Sequence, residues 1–122
     1  MPAALDVATR LMMDVPDNPG GLVKMLVERR EELNSMVGRG GLSEVWVPAL
    51  QAKELALALE LHAREFPDAK RLVVENASRA IVLAAFRLDS AGDRGERDVV
   101  ERAAAEFARA VTTMEATFGG PR

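Results

Sequence analysis

Residues 94–118 read RGERDVVERAAAEFARAVTTMEATF, and in them Val100, Ala103, Ala104, Phe107, Val111, Met114 and Phe118 recur at the three- and four-residue intervals of a single helix face. Asp98 stands four residues ahead of Arg102, acid before base, which is the order that supports a solvated outer face. In Asp93-Arg94-Gly95-Glu96 an acidic residue is followed three positions later by Glu, the pattern of a capping box. A helix is therefore predicted over 94–118, stopped by Gly119-Gly120-Pro121.

The same period repeats toward the N-terminus. Pro67-Asp68 breaks and re-caps the chain, and a helix over 68–90 follows through Leu72, Val73, Ala77, Ala80, Ile81, Ala84 and Leu88, closed by Gly92. Proline suits a first turn, so the preceding helix is predicted over 48–66, starting at Val47 or Pro48. Residues 42–47, LSEVWV, tolerate a strand, but a lone strand has no pairing partner, and an extended lead-in is expected there. Asn18 before Pro19 is an N-cap with proline at the first helical position, opening a helix over 19–37 that stops at Gly38-Arg39-Gly40-Gly41. Ahead of Pro16, Ala4, Leu5, Ala8, Leu11, Met12 and Val15 predict one more amphipathic helix over 3–15.

Tyrosine is absent and aromatic residues make up 4% of the chain, so propensity favours helix nearly throughout. The fold class expected is all-α: a small bundle of four to five helices in mostly antiparallel, up-down packing. With 122 residues, 48% hydrophobic and 29% charged, the chain has enough apolar content for one core and is expected to form one domain over 1–122. Within it, the helical pair in 1–41 is the part that would behave as a mobile arm.

Several functional classes fall away on composition. There is no cysteine, which excludes a disulfide framework, a thiolate metal site and a cysteine nucleophile, and which suits a reducing compartment. No run approaches the length of a membrane span, and no basic-then-apolar leader opens the chain, so a cytoplasmic address and no membrane partner are expected. The net charge of −3 is spread without a basic tail, a poor basis for binding nucleic acid. A single histidine rules out histidine pairs on a metal, and no Glu-x-x-His spacing supports a dimetal bundle. The glycine-rich pieces lack the Gly-Lys-Ser/Thr of a phosphate loop. No metal or cofactor is expected.

The 48–66 helix carries the most informative pattern. Leu55, Leu59 and Phe66 share a face with Ala52, Ala56 and Ala63, whereas Leu50, Leu57 and Leu61 lie on another. Lys53, Glu60 and Arg64 fill one gap between the two stripes, and Gln51, Glu54, His62 and Glu65 fill the other. A peripheral bundle helix needs one apolar stripe; the second must be covered by other helices of the chain or by another molecule. The 68–90 helix shows a similar surplus at Leu72, Leu83 and Phe86. The candidate interface is therefore Leu50, Leu57 and Leu61, joined by Trp46, which serves either as a plug over one end of the bundle or as an interface anchor.

Val45-Trp46, Ala52-Lys53-Glu54-Leu55, Phe66-Pro67, Arg79-Ala80, Val82, Ala85 and Gly92 follow one another in an order that resembles the four-helix-bundle proteins encoded in intervening sequences of bacterial 23S rRNA genes, relatives of the accessory variability proteins of diversity-generating retroelements. The resemblance spans about residues 45–115 and implies a short helical bundle that assembles into barrel-shaped pentamers whose basic outer surface is associated with nucleic acid. This chain departs from the pattern in three extra residues after Trp46, in the segment Ala85–Gly92, in some 40 preceding residues and in its negative charge.

Three readings follow. The first is a non-enzymatic bundle that serves as an interaction or assembly module, with itself or another protein as partner. The second is a nucleic-acid binder that uses Arg71, Arg79 and Arg87 of the 68–90 helix. The third is an enzyme with a metal on Glu28, Glu31 and Glu32, or with His62 as a base beside Glu60 or Glu65.

Overall fold

A computed structural model describes residues 13–119 of the chain. Four α-helices carry the fold: α1 (Pro19–Gly38), α2 (Trp46–His62), α3 (Asp68–Asp93) and α4 (Arg97–Gly119). Short 3-10 turns at Leu42–Glu44 and Ala63–Glu65 lead into and out of α2. Each helix packs on its chain neighbours, and α4 closes back on α1, which makes the ring of an up-down four-helix bundle. Pairs across the interfaces confirm the antiparallel sense: Lys53 meets Phe86 and Glu60 meets Ser78 between α2 and α3, so one helix number rises as the other falls. None of these helices is long and apolar enough to cross a membrane.

The helix ends follow local chemistry. Asn18, in extended conformation, accepts the Gly21 amide on its side chain at 2.7 Å and caps α1, with Pro19 in the first turn. α1 and α3 end alike. Gly41 and Glu96 donate six-to-one bonds to the carbonyls of Met36 and Ala91, around Gly40 and Gly95 with φ of 77° and 66°. These are Schellman turns, and their left-handed residue is glycine because a Cβ is strained there.

Three expectations change here. Gly92 does not close α3; the helix runs on to Asp93, and Gly92 is buried where a Cβ would stand 2.4 Å from the Leu42 carbonyl oxygen and 3.0 Å from Val45. That close crossing with the turn before α2 is what demands glycine. The capping box at Asp93 does not form, because Asp93 is taken up as the last residue of α3 and α4 starts at Arg97. Residues 42–47 are not extended: Leu42–Glu44 is a 3-10 turn and α2 begins at Trp46. The helix expected over 3–15 lies almost wholly outside the described residues, and residues 13–15 within them are not helical.

The core fills the centre of the ring. Leu22, Leu26 and Leu33 of α1, Leu55 and Leu59 of α2, Val74, Ile81 and Leu88 of α3, and Val100, Phe107, Val111 and Met114 of α4 are fully enclosed. Alanines fill the closer approaches, among them Ala52, Ala56, Ala84, Ala85 and Ala103. At the end of the bundle that holds the α2–α3 connection, the Phe66 and Phe118 rings lie 5.2 Å apart, and Lys70 sits 4.4 Å over Phe66.

Candidate interaction surface

α2 exists in two chemical halves. Its inner face, Ala52, Leu55, Ala56, Leu59 and Ala63, is sealed from solvent, as the first leucine stripe predicts. Its outer face carries Leu57 at 42% and Leu61 at 58% exposure. Leu50 belongs to that face by spacing but is half-buried, packed against the edge of the core. α3 repeats the arrangement: Leu72, Leu83 and Phe86 stand exposed within a narrow arc of its outer side. The two outer faces adjoin, because Lys53 of α2 extends over the Phe86 ring of α3 at 5.7 Å.

Among the described residues, every large apolar side chain exposed on a helix belongs to α2 or α3; the one other, Val15, precedes α1. α4 presents Asp98, Glu101, Arg102, Ala105, Arg109, Thr112 and Glu115 to solvent instead. Single exposed leucines are ordinary, but a cluster on two adjoining helices, with none on the other two, is the kind of surface that marks a contact.

Trp46 does not join this surface. It is 8% exposed at the start of α2, buried within the fold, and offers a partner no more than an edge. Val73, which the sequence pattern assigns to the inner face of α3, is exposed beside a shallow cleft of about 460 Å³ between α3 and α4; Val74 takes the inward position. The ridge of α3 is thus rotated slightly from the stripe that spacing alone suggests.

The arginines of α3 are not gathered. Arg71 pairs with Asp68 at 3.0 Å, Arg79 bonds the Asn76 side chain at 3.3 Å, and Arg87 crosses to Glu106 on α4 at 2.9 Å. Their spread and their existing partners leave no basic stripe to follow a phosphate backbone. Arg87 and Arg102 do line a second cleft of about 230 Å³ with Glu106 between them.

Two of the three carboxylates proposed for a metal are engaged elsewhere, Glu31 with Arg30 at 3.0 Å and Glu32 with Arg29 at 3.3 Å, and the third, Glu28, is exposed on α1. Among the described residues no group of three or more His, Asp or Glu is placed to hold a metal ion. His62 ends α2 on the exposed surface, while Glu60 accepts a hydrogen bond from the buried Ser78 hydroxyl at 3.1 Å. Nothing in the sequence signals that Ser78 contact, since serine within an apolar stripe has no periodic signature. Near the end of α3, burial and then the neighbouring charge of Asp93 push the Asp89 carboxyl above its ordinary value.

No protein-family profile, no curated protein and no solved structure matches the chain.

Proposed function

We propose that this protein is a non-enzymatic helical module that assembles with copies of itself through the outer face of α2 and α3. The observation that carries this reading is the one-sided distribution of exposed apolar side chains. Leu57, Leu61, Leu72, Leu83 and Phe86 lie in solvent on two adjoining helices of a bundle whose core is already closed. The fold does not need them outside, and burying them releases on the order of 25 cal/mol per Å² of apolar area. A contact between identical surfaces needs no second gene product, and closed symmetric assemblies are the common outcome of such faces. The lack of cysteine fits a cytoplasmic setting.

Absolute mass in solution tests the reading. The native chain is expected to weigh a multiple of 13.2 kDa by light scattering, and Leu57→Glu/Leu83→Glu is expected to be a folded monomer. A native chain that stays at 13.2 kDa throughout the micromolar range overturns the proposal.

A further inference from the structure

α1 is fastened to the bundle differently from the other three helices. Of its 20 residues only Leu22, Leu26 and Leu33 are buried, against eight of 17 in α2, nine of 26 in α3 and seven of 23 in α4. α1 buries no alanine, the residue that brings α2, α3 and α4 into close approach, and its flanking Val23, Met25 and Val37 are only partly covered. Arg29 interrupts the leucine stripe. It stands three residues after Leu26 and four before Leu33, on the same face, and its side chain is 19% exposed. One terminal nitrogen turns back to Glu32 of α1 at 3.3 Å, and the Nε is enclosed with no acceptor among the described residues. A donor shut away from water without a partner costs free energy that an apolar side chain of similar shape does not.

The inward face of α1 thus holds a charged side chain that bonds within its own helix. A polar link that does leave α1 lies on the outside, from Arg30 to Thr112 at 3.0 Å and Glu115 at 3.4 Å on α4, and exposed bridges of this kind hold weakly. Connectivity adds to this. α1 packs on α2 and α4, whereas α2, α3 and α4 pack in turn on one another, so α1 can leave without parting α2 from α3 or α3 from α4. It is joined to α2 through Arg39-Gly40-Gly41, and Gly40, at φ 77°, supplies a joint with wide backbone freedom.

We infer that α1 is a releasable arm: it undocks as one unit about the Arg39–Gly41 joint while α2, α3 and α4 stay packed, and Arg29 sets how readily it does so. Undocking bares Leu22, Leu26 and Leu33 together with the groove between α2 and α4 that they fill. The open form then offers an apolar helix face and a matching groove that the closed form hides. This motion is independent of the self-association proposed above.

Amide hydrogen exchange of the native chain, followed residue by residue by NMR and corrected for intrinsic rates, tests the release. Amides between Leu26 and Leu33 are expected to exchange at least about tenfold faster than those between Phe107 and Val111 in the middle of α4. Ile81→Val thins the core on α3; it is expected to speed exchange in α4 several-fold and to leave α1 unchanged, because the α3 core stays folded when α1 opens. Arg29→Met removes the enclosed donor and is expected to slow exchange in α1 on the order of tenfold. Equal protection of α1 and α4 in the native chain, or an α1 that speeds together with α4 in Ile81→Val, overturns release of α1 as a unit. Unchanged or faster exchange of α1 in Arg29→Met overturns the role given to Arg29. The native comparison of α1 with α4 decides the first point whether or not either variant folds.

Discussion

α4 and α2 have equal places in the ring, each packed on two neighbours, yet their surfaces differ in kind. On α4 the inner face holds Val100, Phe107, Val111 and Met114, and the outer face is charged, hydroxyl-bearing or alanine. On α2 the inner face holds Leu55 and Leu59, and the outer face repeats leucine at Leu57 and Leu61. One helix shows what the bundle requires; the other shows what it carries beyond that. The surplus on α2 and α3 is therefore a property of the surface with its own physical consequence, namely an exposed apolar cluster that association would bury.

The comparison breaks most readily at Phe107. In the monomeric Leu57→Glu/Leu83→Glu background, Phe107→Ala is expected to lower the unfolding free energy by about 3–5 kcal/mol in equilibrium denaturation, the cost of emptying a closed core site. Next comes Gly92→Ala, whose new methyl group meets the Leu42 carbonyl oxygen at 2.4 Å; a loss of about 1–3 kcal/mol follows from forcing the turn away from α3. Leu61→Ala, on the outer face, is expected to change monomer stability by no more than about 0.5 kcal/mol while weakening association of the native chain. A loss as large as that for Phe107→Ala would erase the distinction between the two faces.

The smallest effect concerns pH. The Asp89 carboxyl is raised by burial first and by Asp93 second, so the folded chain takes up this proton at a higher pH than the unfolded chain does. The group's contribution to stability is accordingly least favourable when it is ionised in both states, near neutral pH. It improves as pH falls through the raised folded value, and becomes constant below the unfolded one. Asp89→Asn is expected to stabilise the bundle slightly at pH 7 and to remove that part of the pH dependence, as read from melting temperature across an acid titration. The position favours the change, since Asp89 and Asp93 are like charges one turn apart near a helix C-terminus.

Much of this architecture is legible in the chain because helical spacing reports burial directly. The stripe from Val100 to Met114 and the Ala52–Ala63 stripe land where the period puts them, and Asn18-Pro19 caps α1 through side-chain chemistry local to four residues. The outer leucines of α2 and the surplus at Leu72, Leu83 and Phe86 are legible for the same reason. What is not legible depends on distant partners. Gly92 looks like a helix stop until the Leu42 carbonyl is seen beside it. The sequence leaves Trp46 between plug and interface anchor, and only the packed fold shows it buried, while Val73 trades places with Val74 through a small rotation of α3.

The most direct test sets the two kinds of surface against each other in one measurement. Sedimentation equilibrium of the native chain, of Leu57→Glu/Leu83→Glu on α2 and α3, and of Ala105→Glu/Thr112→Glu on the outer face of α4 reports the mass of each in solution. The account predicts that the native chain and the α4 variant weigh the same multiple of 13.2 kDa and that the α2–α3 variant alone weighs 13.2 kDa. A native chain at 13.2 kDa, or an α2–α3 variant as heavy as the native chain, would contradict it.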